Sequence, residues 1–165
     1  MERSKVNACS VLALWWLLQL VVPTMMYLWL ESLHLGAVLI FTGGLVLLAV
    51  VVSGWPMGDN ALVFGDKQIL HNVLQWDRRV TVPALGIVWV SGLALAVWGG
   101  WFGQGWLMAK IGLVMALSAL HGVLSATLRK RSQDASMLQW SLLRYSPIAI
   151  AFCLLVIALL VMIKP

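Results

Sequence analysis

Apolar residues in this chain run in long blocks separated by short polar stretches. The clearest block runs from Tyr27 to Ser53, contains Gly36, Gly43 and Gly44, and is interrupted near its start by Glu31 and His34. Further blocks cover Val80 to Gly99, Gly105 to about Leu128, and Ser146 to Ile163. A bilayer-crossing helix needs about 17–25 apolar residues, so the pattern predicts an all-α, polytopic transmembrane bundle with four core spans. A shorter run of roughly 17 apolar residues, Val6 to Val22, follows the polar head Met1 to Lys5 and meets only the lower limit. The residues after it, Val21 to Met26, lack the small-residue cleavage pattern of a signal peptide. Residues 1–24 are therefore expected to form an N-terminal anchor or extra transmembrane helix ended by Pro23. Residues 25–165 form the helical membrane domain.

The stretches between blocks predict connections. Gly54-Trp55-Pro56-Met57-Gly58-Asp59-Asn60 reads as a turn, and the amphipathic segment from there through Arg79, with Asp66, Lys67, His71, Asp77 and Arg78, reads as non-spanning. Pro83 falls in the first turn of the next span, where its missing N–H does little harm. Residues 99–105 form a tight uncharged turn, and Arg129-Lys130-Arg131 opens a polar loop extending to Arg144. With five spans, every basic cluster lies on one side and an uncharged turn lies opposite. That places the N-terminus inside and the C-terminus outside.

Composition agrees with the block pattern: 62% of the 165 residues are hydrophobic and 10% charged, with a mean hydropathy of +0.95, far from the soluble balance. The net charge of +5 does not imply a nucleic-acid partner, because the basic residues gather at span ends and not on one solvated surface. Ten tryptophans stand mostly near block ends, as interfacial indoles do. Cys9 and Cys153 lie in different apolar runs and predict no disulfide. No Gly-rich phosphate loop, Cys-x-x-Cys pair or Ser/His/Asp arrangement stands out.

Candidate chemistry comes from ionisable groups inside the spans, which lose hydration and need a partner. These are His34, Lys110 and His121, with Glu31 near the outer edge. Glu31 and His34 share a helix face, and an ion pair or hydrogen bond between them is the simplest outcome. Lys110 and His121 project from nearly one face about 16 Å apart, beside a ridge of Ser118, Gly122 and Ala126 that would let a neighbouring helix approach closely. If both spans begin at the outer face, His34 lies about 10 Å deep and His121 about 24 Å deep. Lys110 shares the level of His34, so one ligand would be shared by His34 and Lys110, while His121 binds elsewhere or only hydrogen-bonds. Histidine is a ready axial ligand for haem iron, and Lys110 could pair with a propionate. His71, in a polar segment, is expected to be solvated or capping. Met25, Met26, Met108 and Met115 would be copper ligands only as part of a tight Met/His cluster.

From Tyr27 to Pro165 the chain resembles the HemJ-type protoporphyrinogen IX oxidases, relatives of the CopD-like copper-resistance proteins. The resemblance rests on Trp29, Leu33-His34, Phe41 and Gly44 in the first shared span and on Pro83-Ala84, Trp89 and Gly92-Leu93 in the second. In the third it rests on Trp106, Lys110 and His121 followed by Arg129-Lys130, and at the end on Val161 to Pro165. It implies a multi-pass protein of the bacterial cytoplasmic membrane that binds haem b, oxidises protoporphyrinogen IX and passes electrons to an acceptor such as quinone or a respiratory-chain partner, as a homo- or hetero-oligomer. His34 would be the metal ligand, and Lys110 and His121 would be cofactor-binding and catalytic residues. The chain differs from the family at Glu31, usually lysine, at Val50, near which the family has arginine, and at Pro147-Ile148, near which it has an Asn-Glu pair. The resemblance therefore implies a haem or porphyrin pocket first, and the oxidation only if the missing groups are dispensable. A CopD-like copper carrier and a non-catalytic subunit of a membrane respiratory complex are the alternatives.

Overall fold

A computed structural model describes residues 3–54, 64–133 and 145–162, with side chains described over 21–53, 68–130, 132, 145–160 and 162. Those residues are entirely helical apart from one turn. Helix α1 spans Arg3–Gly54, α2 Phe64–Trp76, α3 Val82–Trp98, α4 Gly105–Gln133 and α5 Ser146–Met162. A π-helical segment, Asp77–Thr81, joins α2 to α3 without a break. Three continuous stretches are long and apolar enough to cross a membrane: Val21–Ser53, Gln68–Trp98 and Gly105–Lys130. Residues Ser146–Leu160 form a shorter apolar helix. In hydrocarbon every backbone N–H and C=O must be satisfied within the chain, and helices do this segment by segment.

Two boundaries differ from the sequence expectation. Pro23 does not end a separate N-terminal helix: α1 runs through it for 52 residues, so the expected boundary at residue 24 falls inside one helix. A proline removes one backbone donor, a loss that long membrane helices absorb by local adjustment. The second span begins well before Val80. The segment expected to be non-spanning continues directly into it, and Asp77 is buried at 1% exposure between exposed Trp76, Arg78 and Arg79.

The core is a set of inward stripes at helical spacing. On the 68–98 helix the stripe reads Leu70, Leu74, Asp77, Thr81, Ala84, Val88, Ser91 and Leu95, all buried and spaced alternately three and four apart, as on one face of a packed helix. Phe41, Leu45, Leu48 and Val52 of α1 and Leu117, His121, Leu124 and Leu128 of α4 meet it. The outer faces stay apolar: Trp29, Leu39 and Val90 are each more than 70% exposed, which suits lipid contact.

Close helix approach occurs at α1, not at the expected ridge on α4. Gly122 has nothing within 4 Å of where a Cβ would stand, and Gly122 and Ala126 are exposed. Gly44, by contrast, receives fully buried Thr81; a Cβ there would run into Thr81 Oγ1 and stand 2.7 Å from its Cγ2. Gly44→Ala is therefore expected to destabilise the fold by about 1–3 kcal/mol, as overpacking does. Thermal unfolding in detergent should show a lowered midpoint, recovered in part by adding Thr81→Ala. A midpoint equal to that of the unchanged protein would mean that the two helices do not meet there.

At the opposite end of the helices, α3 turns into α4 through Gly99 to Gln104. Gly100 (φ 65°) and Gly103 (φ 99°) occupy left-handed conformations there, which a side chain would strain. This turn brings Trp101 and Trp106 together with ring centroids 5.6 Å apart.

Candidate functional site

A cavity of about 280 Å³, open to one side, lies between α1, α3 and α4 next to this turn. Its walls are mostly apolar and include Trp89, Trp101 and Trp106, so three indoles expected only to mark interfaces help to build a pocket. Into it come Tyr27, Glu31 and His34 from α1 and Lys110 from α4. His34 and Lys110 lie on the inward stripes of their helices, His34 one turn before Ala37 and Lys110 one turn after Leu107. That register carries both into the same space.

His34 does not pair with Glu31, as the three-residue spacing allowed. Its Nδ1 lies 2.9 Å from Ser91 Oγ on α3, and the Ser91 hydroxyl in turn donates to the Ile87 carbonyl. The Cε1 corner of the ring comes close to α3 because residue 92 is glycine: a Cβ there would stand 2.9 Å from His34 Cε1. Trp89 Nε1 donates to Ser118 Oγ at 3.3 Å, tying the cavity wall to α4. Tyr27 meets Trp98 edge to face at 6.4 Å.

His121 does not line this cavity. It is buried at 5% exposure about three turns below Lys110, and its Nε2 donates to Asp77 Oδ1 at 2.7 Å. Ser125, one turn further along α4, donates to Asp77 Oδ2 at 2.8 Å. The Phe41 ring separates the two sites, lining the cavity and meeting the His121 ring at 5.8 Å. A role for His121 as a residue touching a ligand in the cavity would have to reach past that ring. His121 instead belongs to a buried carboxylate–imidazole–hydroxyl network whose Asp77 lies at the start of the π segment, in which Asp77 and Thr81 are the buried residues. Such segments are frequent at functional sites. Thr81 Oγ1 is buried without a hydrogen-bond partner.

Asp77 and Ser91 escaped the sequence reading. Asp77 stands beside Arg78 and Arg79 and looked like part of a polar face, and Ser91 is a small residue in an apolar run. The signal for both is the alternating spacing from Leu95 back to Leu70, on which each occupies an inward position. His71 is exposed, as a solvated residue should be, and Cys153 is a free thiol. Cys9 lies outside the side chains described.

Among the described residues, no three His, Cys, Asp or Glu side chains come together as a group that could hold a bare metal ion. Comparison with family models, with curated proteins and with solved structures returns no match.

Proposed function

We propose that the cavity binds a planar, carboxylate-bearing tetrapyrrole, haem b or a porphyrin, and that the protein is a multi-pass membrane protein of the bacterial cytoplasmic membrane. The observation that carries this reading is the meeting of His34 and Lys110 in one indole-walled, laterally open cavity inside an apolar bundle. A haem iron needs a single imidazole nitrogen from one side, which this site offers. Its carboxylates need a cation, which Lys110 supplies as a point charge, and its rim needs apolar and aromatic walls. The donor set therefore fits the group, with His34 as the holding residue and Lys110 as the anchor.

When bound, haem would supply one-electron chemistry. The chain's own residues hold and orient it. His34 would hold the iron, and Lys110 would pair with a carboxylate of the ring. The apolar walls keep water from the ring, raising the strength of every charge interaction within. Oxidation of protoporphyrinogen IX with transfer of electrons to a membrane acceptor such as quinone is the activity that this arrangement would serve. Glu31 at the rim, where the resembling family has lysine, adds a negative charge that a carboxylate-bearing substrate must pass.

A bare copper site is the less favoured alternative, because among the described residues no three His, Cys, Asp or Glu side chains come together and the described cavity lining has one histidine and no methionine. The discriminating experiment is absorption spectroscopy with metal analysis on detergent-purified protein. A Soret band with about one haem per chain is expected. Stoichiometric copper without a Soret band would replace the haem reading with the carrier reading, and a partner protein co-purifying with no cofactor would replace both with an assembly role.

A further inference from the structure

We propose that Ser91 is a positioning residue that fixes the tautomer of His34, holding the ring proton on Nδ1 and leaving Nε2 as the lone-pair nitrogen available to a ligand. The proposal rests on His34 as the cavity's ligating residue, but its physical basis is independent of what is bound. Ser91 has one hydroxyl proton and two oxygen or nitrogen neighbours at hydrogen-bond distance: the Ile87 carbonyl at 2.5 Å and His34 Nδ1 at 2.9 Å. Two oxygens that close repel each other unless a proton lies between them, and a carbonyl can only accept. The Ser91 proton is therefore committed to Ile87, an i−4 bond that helical serines commonly make. Toward His34 the hydroxyl oxygen has only lone pairs to offer, so Nδ1 must bring the proton.

The surroundings support that direction. Ser91 is buried at 2% exposure, so water does not readily replace its hydroxyl. Gly92 supplies the room: a Cβ there would stand 2.9 Å from His34 Cε1, so a larger residue would make the ring shift from this position. In a neutral imidazole only one nitrogen carries a proton, and the bond made by one nitrogen decides what the other can do. Ser91 thus has the part that a carboxylate or carbonyl takes behind many metal-bound histidines, using a hydroxyl made purely accepting by its own helix.

The test has two readouts. In ¹⁵N-histidine-labelled protein without added haem, recorded with the ring neutral and with the His34 signals assigned by their loss in His34→Gln, the protonated nitrogen is expected to be Nδ1. Ser91→Ala should give a mixture of tautomers, and Ser91→Thr, which keeps a hydroxyl with the same i−4 bond, should restore the Nδ1 form. In haemin titrations Ser91→Ala should bind about tenfold to a hundredfold more weakly than the unchanged protein, the loss typical of removing a ligand's orienting partner, with Ser91→Thr near the original affinity. An Nε2-protonated His34 in the unchanged protein, or the same tautomer ratio with and without the Ser91 hydroxyl, overturns the proposal. Protein that shows the Nδ1 form and its dependence on Ser91 but takes up no haem upholds the tautomer assignment and overturns the haem reading alone.

Discussion

His121→Ala is expected to lower stability by about 3–5 kcal/mol. The reason is what it leaves behind. Asp77 is 1% exposed and His121 5% exposed, and they meet at 2.7 Å. Removing the imidazole strands a carboxylate in an apolar interior, and a buried pair broken from one side costs about that much. Ser125 would remain bonded to Oδ2, but a single interhelical hydrogen bond within a membrane averages only about 0.6 kcal/mol. Asp77→Asn should cost far less, since its carbonyl oxygen still accepts from His121 and its amide can donate to Ser125. Replacing Asp77 and His121 together with leucine should recover most of the loss, because an apolar pair of similar volume is often as stable as the ion pair it replaces. Unfolding in detergent across this set of variants checks the prediction. A double replacement that loses about as much as its two single replacements added together would mean that the two side chains are not coupled.

His34→Ala is expected to reduce the haem content of purified protein by at least about tenfold, beyond the loss from disturbing a ligand's support alone. His34 is the only imidazole in the cavity lining, and Phe41 stands between the cavity and His121. No second histidine is placed to take its role. The change leaves a space the size of the lost ring, so imidazole added to the buffer should restore part of the Soret band, as a diffusible ligand does in a site that is otherwise intact. His121→Ala, measured where it remains folded, should keep its haem. Equal haem in His34→Ala and in the unchanged protein would remove the ligand assignment, and equal loss in both histidine variants would mean that the effect follows from stability.

The fold was legible wherever composition alone decides. Block length in apolar residues separated the main spans, because hydrocarbon admits no unsatisfied backbone and so permits little besides helix. Helical periodicity also brought His34 and Lys110 to one level and set His121 deeper. What could not be read were features arising between helices. Asp77 was hidden because a charged residue next to two arginines looks solvated until a histidine on another helix is known to face it. Gly44, one glycine among several, became the contact point because Thr81 lies opposite, whereas Gly122 and Ala126 face outward and only Ser118 of that ridge meets a neighbouring helix, through Trp89. Pro23 looked like a terminus because local rules dominate in short peptides, whereas a long helix tolerates the loss of one hydrogen bond.

The polar bonds described above also act together. The helix from Gln68 to Trp98 is tied to α1 through Ser91 and His34, and to α4 through Trp89 and Ser118 and through Asp77 with His121 and Ser125. The ties lie at successive heights, like teeth on a key. Sliding this helix by one turn, about 5.4 Å, would disengage them all at once. The bundle is therefore expected to hold one register until it comes apart as a unit.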